Sequence, residues 1–169
     1  MPEALQRSRE EREDLYHFNS IGMDSERLYL LAHNWNQPSF ALALSRRAAL
    51  SGRAERQACF QGLGSLCHDF LPQGGCYWTL DSGGGALVRL APDGAQSVFE
   101  IEGADGKAFP RGLAALGDKL VIAYSFWSEQ RGARTDSRAL LTVFDPASER
   151  FLTHHDLGNQ GNSSAILVL

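Results

Sequence analysis

The chain has no run of about 18 apolar residues, the length that a membrane-spanning helix needs. Its first residues, MPEALQRSREEREDLY, are polar and acidic, whereas a secretory signal peptide begins with basic residues and continues with an apolar core. Lys and Arg form no cluster beyond short pairs such as Arg46-Arg47, and the formal net charge is −4. We therefore expect a cytoplasmic protein that binds neither membranes nor nucleic acid.

Cysteine is scarce, with Cys59, Cys67 and Cys76 as the three examples. Their number is odd and no two of them form a Cys-x-x-Cys pair, so neither a disulfide framework nor a thiolate zinc site is indicated. A free cysteine behaves in a protein core as a small apolar residue. We expect three buried, reduced thiols.

Several motifs of common enzyme classes are missing. The chain contains no Gly-x-Ser-x-Gly elbow, no phosphate-binding loop, no His-Glu-x-x-His and no dinucleotide fingerprint. The glycine run Gly83-Gly84-Gly85 is interpreted as a turn, because no helix follows that would bind phosphate at its N-terminus. Enzyme classes that need those spacings are excluded.

What the chain does contain is enough apolar sequence for one core, since 43% of its 169 residues are hydrophobic. Residues 1–15 are expected to form a polar N-terminal extension, with apolar positions too sparse for a stable amphipathic helix. From Tyr16 onward, short runs of β-branched, aromatic and aliphatic residues are broken at Gly, Pro, Asp and Asn. This pattern predicts a single all-β domain over 16–169, with little room for helix.

Within this domain a pattern of strands repeats about every 45 residues. Three segments predict β-hairpins: HFNSIGMDSERLYLLAHN, CHDFLPQGGCYWTLDS and FPRGLAALGDKLVIAYS. A third and a fourth strand follow each hairpin, so that each unit has four antiparallel strands, as in a propeller blade. The predicted fold is therefore propeller-like, with blades at about 16–63, 64–103 and 108–158 and a terminal strand at 162–169.

The motifs support this fold by resemblance. The segment CYWTLDSGGGALVRLAPDG resembles the repeat of NHL and SMP-30 (gluconolactonase)-like six-bladed propellers, and FPRGLAALGDKLVIAYS resembles their blade-opening sequence. The combination of HFNS, HDF and FPRGLA is similar to an uncharacterised bacterial propeller family. The resemblance covers residues 16–169. It implies a propeller fold and, for SMP-30-like members, a metal set of Glu, Asn and Asp on inner strands, of which Asn19 and Asp69 are the matching types here.

Three blades and one further strand do not close a ring, because natural propellers have four to eight blades. The chain is then either a partial propeller from a longer protein or a half propeller that pairs with a second copy into a six-bladed ring. Unpaired strand edges otherwise favour aggregation.

In a propeller, the start of each first strand, the end of each second strand and the loop that follows lie on one face. Polar residues occupy these positions here, and alignment of the repeats places Asn19, His68 and Arg111 opposite one another. His17 lies two residues before Asn19. The candidate ligand-binding residues are Asn19, His33, Trp35, Asp81, Arg111 and Trp127. The candidate metal ligands are His17, His68 and Asp69, and the last two are also the candidate catalytic residues.

Each candidate has an alternative structural role. Asp81 begins an Asp-Ser-Gly-Gly sequence that is suited to a turn, where its carboxylate would bond backbone amides. Arg111 would either bind an anionic group or form an ion pair with Asp69 or Asp81. Trp35 and Trp127 would either stack on a ligand or pack over the end of the sheets.

Three hypotheses of function follow. The first is a module that binds a small molecule or a peptide at the polar face. The second is a metal-dependent hydrolase or lactonase of the SMP-30 type, with a divalent ion such as Ca, Mg, Mn or Zn that polarises a carbonyl or activates water. The third is a propeller piece without independent activity. We expect binding rather than catalysis, because no Glu stands at the start of an inner strand.

Overall fold

The structure is a computed structural model that describes residues 16–33, 37–102, 106–128, 136–161 and 165–167. Over these ranges the chain forms three four-stranded antiparallel sheets, and within each sheet the strands lie side by side in chain order. The prediction of an all-β chain built from four-stranded units is confirmed. Residues 1–15, the predicted N-terminal extension, lie outside the described residues.

Each sheet is a meander of four short strands. The first consists of β1 (His17–Met23), β2 (Arg27–His33), β3 (Phe40–Ser45) and β4 (Arg56–Phe60). The second consists of β5 (His68–Gln73), β6 (Cys76–Asp81), β7 (Ala86–Leu90) and β8 (Gln96–Glu100). The third consists of β9 (Ala108–Leu116), β10 (Lys119–Phe126), β11 (Leu140–Asp145) and β12 (Arg150–Asp156).

The turns that close the three hairpins lie where the sequence predicts them. Between β1 and β2, Asp24 Oδ1 accepts the backbone N–H groups of Glu26 and Arg27 at 2.8 and 2.7 Å. Between β5 and β6, Gly74 and Gly75 take φ values of +61° and +75°, which residues with a Cβ adopt at a cost. These turns fix the register of each hairpin and thus which residues face the core.

One short helix departs from the predicted pattern. Helix α1 (Arg46–Leu50) follows β3 directly, and the side chain of Ser45 caps its N-terminus by accepting from the backbone N–H of Ala48. The sequence pattern predicted little helix and placed only strands in this unit. Ser45 ends the strand because a serine side chain satisfies a free amide of the first helical turn.

The first strands of the sheets lie next to one another, since β1 contacts β5 and β5 contacts β9. The approach of β1 to β5 is close, because a Cβ on Gly22 would lie 1.9 Å from the carbonyl oxygen of Phe70. Apolar side chains fill the space between successive sheets. One cluster includes Tyr29, Leu31, Cys67, Phe70 and Val88, and another includes Trp78, Leu80, Ile122, Tyr124 and Phe144.

The structure corrects two expectations, namely that all three cysteines are buried and that residues 165–167 belong to a terminal strand. Cys67 is buried and Cys76 half-buried, but Cys59 is exposed because it lies on β4, the outer strand of the first sheet. Residues 165–167 of the predicted terminal strand are not in a strand, and Ile166 packs against Gly112 of β9. The rest of that predicted strand lies outside the described residues. None of the described helices is long and apolar enough to cross a membrane.

Candidate functional site

A bulge interrupts the first strand of every sheet near its start. The pairing of β1 with β2 skips Asn19, that of β5 with β6 skips Asp69, and that of β9 with β10 skips Arg111. An extra residue of this kind turns a side chain out of the regular alternation. Asn19, Asp69 and Arg111 are therefore the equivalent positions. The sequence alignment, which placed His68 opposite Asn19 and Arg111, is wrong by one residue in the second sheet.

Two of the bulged residues connect one sheet to the next. Asn19 Nδ2 donates to the carbonyl of Cys67 at 2.9 Å, and Asp69 Oδ2 accepts the backbone N–H of Leu113 at 2.7 Å. Burial raises the pKa of Asp69 above its ordinary value, although the bonds from Leu113 and Ser20 and the charge of Arg111 act in the opposite direction. These contacts give Asn19 and Asp69 a structural role between sheets.

Three of the predicted site residues form a row of imidazole rings across the first two sheets. His17 and His33 are paired across β1 and β2, and their ring centroids lie 5.7 Å apart. The ring of His33 lies 5.5 Å from that of His68. His17 is exposed, whereas His33 and His68 are half-buried. The sequence prediction that these three histidines share one face agrees with this geometry.

Hydrogen bonds determine the tautomer of His68. Its Nε2 atom lies 3.2 Å from Nε of Arg111, which can only donate, so Nε2 accepts and carries no proton. The proton is on Nδ1, which lies 2.9 Å from the carbonyl of Leu66 and 2.8 Å from Oγ of Ser82. Burial, followed by the charge of Arg111, lowers the pKa of His68 to about 4. His68 is thus neutral near pH 7, with both ring nitrogens occupied.

The row continues into the third sheet through two further rings. Phe109 lies edge-on to His68 with 5.9 Å between ring centroids, and Trp127 follows at 5.0 Å from Phe109. We call the five residues His17, His33, His68, Phe109 and Trp127 the aromatic row. The exposed fraction of Trp127 is 37%, so part of its side chain is in contact with solvent.

A cavity of about 240 Å³ adjoins the Trp127 end of the aromatic row. Among the residues that the structure describes, those that line it are Ser65, Leu66, Ser82, Gly83, Lys107 and Trp127. Ser82 is buried, and its hydroxyl donates to the carbonyl of Pro110. The cavity therefore lies between the second and third sheets, where the segment before β5 and the β6–β7 turn face the residues that precede β9 and follow β10. A space of this size is smaller than a typical drug-binding pocket and suits a small ligand.

Two predicted residues, Asp81 and Trp35, are not part of the aromatic row. Asp81 Oδ1 accepts the backbone N–H groups of Ser65 at 2.9 Å and Gly84 at 2.8 Å, which is the turn role that its Asp-Ser-Gly-Gly context suggests. Trp35 lies outside the described residues.

The described residues do not bring the predicted metal ligands together into one site. Among residues 16–33, 37–102, 106–128, 136–161 and 165–167, no three His, Cys, Asp or Glu side chains come together as an ion would require. Of the predicted ligands, His68 uses both ring nitrogens in protein hydrogen bonds, and Asp69 binds the Leu113 amide.

Sequence reasoning missed several residues of the site. Phe109 begins the FPRG segment and Lys107 lies two residues before it, but only Arg111 of this region was predicted as a site residue. Ser65 and Leu66 lie before β5 in a loop with no recognised motif. Leu66 has a φ of +53°, which is in the left-handed region. Leucine seldom adopts this conformation, so its presence in the sequence does not predict it.

Comparison with known proteins adds no family to these observations. Neither the protein-family models nor the curated proteins that were compared with the chain include a match. The functional argument therefore depends on the residues themselves.

Proposed function

We propose that the chain is a ligand-binding module, whose three sheets are arranged as propeller blades and whose binding face carries the aromatic row and the adjoining cavity. The arrangement of the sheets supports the propeller part. First strands lie next to one another in chain order, and bulges recur at equivalent places in all three. Equivalent ends of the sheets then form one face.

The observation that carries the proposal is the convergence of side chains from all three sheets on that face. His17 and His33 come from the first sheet, His68 from the second, and Phe109 and Trp127 border the third. A half-exposed indole beside a small cavity is a common feature of recognition surfaces, because aromatic rings give a large contact area with little loss of side-chain entropy.

The hydrogen bonds of His68 favour binding over catalysis. A general base must have a lone pair directed at the proton it removes. The lone pair on Nε2 accepts from Arg111, and Nδ1 already bears a proton that faces Leu66 and Ser82. The hydroxyl proton of Ser82 is directed to Pro110. His68 and Ser82 are therefore arranged to hold Arg111 and the cavity wall in place.

We also propose that a second copy of the chain packs against β1, on the side that faces away from β5. Ile21 on β1 is 69% exposed, whereas Leu113, two residues after the equivalent bulge in β9, is 7% exposed because β5 packs beside β9. Phe18 and Met23 on β1 are exposed by 47% and 58%. Two copies would supply six sheets, a number found in propellers. Light scattering should give the mass of a dimer, and a monomer at all concentrations contradicts this part.

A thermal-shift screen tests the binding face. The full chain is melted with a panel of monosaccharides, amino acids, nucleosides and small aromatic carboxylates. Compounds that raise the melting temperature are then retested on Trp127→Leu and on Arg46→Ala, which lies at the opposite end of the first sheet. We expect the stabilisation to be lost in Trp127→Leu alone, because ligand binding to the folded state shifts the melting temperature. Equal stabilisation of Trp127→Leu and the native chain overturns the proposed face.

A further inference from the structure

Three backbone carbonyls of residues that line the cavity beside Trp127 already accept hydrogen bonds. The carbonyl of Ser65 accepts from the N–H of Gly83 at 2.8 Å, and the carbonyl of Leu66 accepts from His68 Nδ1 at 2.9 Å. The carbonyl of Lys107 accepts from the N–H of Trp127 at 3.1 Å. These bonds satisfy the oxygen atoms that would otherwise attract a donor on a ligand.

Two of the described lining residues carry side-chain donors. Lys107 supplies an ammonium group with three N–H donors and a full positive charge, and Ser65 supplies a hydroxyl. The nearby carboxylate of Asp81 already accepts the amides of Ser65 and Gly84 through Oδ1. A ligand rich in acceptors, and above all an anion, therefore complements the wall.

The remaining wall is flat and apolar. The indole of Trp127 is held by contact with the ring of Phe109, and the buried side chain of Leu66 lies beside it. Planar rings stack favourably on an indole that is fixed in this way. The volume of about 240 Å³ admits one ring with one substituent rather than a large cofactor.

We infer that this cavity binds a small aromatic carboxylate, with its ring against Trp127 and its carboxylate on Lys107. The inference rests on the proposed binding function and specifies the ligand class of that same face. Lys107 gives affinity through charge and Trp127 gives selectivity through shape.

Isothermal titration calorimetry with sodium benzoate tests the inference. Benzamide is the neutral probe of the same shape, and sodium acetate is the anion without a ring. We expect benzoate to bind with a stoichiometry of one per chain and about tenfold more tightly than benzamide or acetate, which corresponds to one charge-assisted contact. Added salt should weaken benzoate binding and leave benzamide binding unchanged.

Variants separate the contributions of the two residues. Lys107→Gln should weaken benzoate about tenfold and leave benzamide unchanged, whereas Trp127→Leu should weaken both. Lys119→Gln removes the lysine that pairs with Asp118 and Asp145 in the third sheet, and serves as the matched control. Both variants should fold, because the side chains of Lys107 and Trp127 are exposed. Melting curves of the variants check this.

The outcomes distinguish this inference from the proposed function. If benzamide binds as tightly as benzoate, or if Lys107→Gln leaves benzoate binding intact, the ligand class is wrong and the binding face stands. If benzoate fails to bind while a monosaccharide from the screen stabilises the native chain but not Trp127→Leu, the ligand class is again wrong. If no compound of the panel depends on Trp127, both proposals fail together.

Discussion

Arg111 donates from Nε to the Nε2 atom of His68 across 3.2 Å, which joins the third sheet to the second at the binding face. Because arginine has no acceptor, this one contact fixes the neutral tautomer of the imidazole and directs its Nδ1–H to Leu66 and Ser82. The guanidinium in turn is held by a ring that stays uncharged. A protonated His68 would place two positive groups against each other.

The first prediction concerns the titration of His68. Its pKa of about 4 has burial as the larger cause and Arg111 as the second. Replacing Arg111 with Leu should raise the pKa by removing a nearby positive charge, yet leave it below 6.5 because burial remains. NMR titration of the imidazole resonances measures this shift. Arg46→Leu at the opposite end is the control, and an unchanged pKa in Arg111→Leu would show that the contact is not formed.

The second prediction is a loss of stability in mild acid. The pKa of His68 is about 4 in the folded protein and 6.5 in an ordinary histidine, so between these values the unfolded chain binds more protons. The free energy of unfolding should therefore decrease as the pH falls from about 6.5 to about 4, by an amount on the order of 3 kcal/mol, and level off below.

Urea denaturation at a series of pH values measures this loss, with His68→Gln as the variant that should lack it. Asp69 acts in the opposite sense. Because its pKa is raised in the folded state, the folded protein takes up that proton first, and stability is recovered in part as the pH approaches the ordinary range of an aspartate. A native chain with the same pH dependence as His68→Gln would refute the assignment.

The third prediction separates a structural Asp69 from a catalytic one. Asn offers an oxygen to the amide of Leu113 and tolerates the φ of +55° at this position, so Asp69→Asn should change stability little. Asp69→Ala leaves the Leu113 amide without its acceptor and should lower the free energy of unfolding by about 2 kcal/mol. Asp93→Ala is the control, because Asp93 also accepts a backbone N–H, that of Ala95, but does so in an exposed turn.

The fourth prediction tests how closely the sheets pack. A methyl group on Gly22 would lie 1.9 Å from the carbonyl oxygen of Phe70, whereas one on Gly112 would lie 3.0 Å from Ile166 Cγ1 and 3.2 Å from the backbone of Ala165, where a shift of a few tenths of an ångström relieves the contact. Gly22→Ala should therefore lower the melting temperature much more than Gly112→Ala, since a backbone atom must move in the first case. Ser25→Ala, in the exposed β1–β2 turn, controls for a simple surface change. Equal effects of the two glycine variants would mean that β1 and β5 are not in contact.

Most of the fold could be predicted because the strands and turns have strong local signals. Gly74-Gly75 and the Asp24 turn mark the hairpins, and alternation between them fixes which residues are buried. Helix α1 was missed since a five-residue helix depends on one cap, Ser45, which also suits the end of a strand.

The candidate site could be predicted only in part, for a geometric reason. The histidines were found because polar residues at strand ends stand out in an apolar pattern. The bulges at Asn19, Asp69 and Arg111 could not be found, because an extra residue leaves the hydrophobic alternation almost unchanged over a short strand. The cavity wall was missed because Lys107 and Ser65 come together through the packing of sheets that are distant in sequence.

The most direct measurement of the central claim is a map of NMR chemical-shift changes when benzoate is added to the ¹⁵N-labelled chain. The account predicts that the largest changes occur at the indole N–H of Trp127 and at the backbone amides of Ser65, Gly83 and Lys107. Changes concentrated at the opposite ends of the sheets, near Gly74 and Gly117, would contradict it, and so would a spectrum that does not change at all.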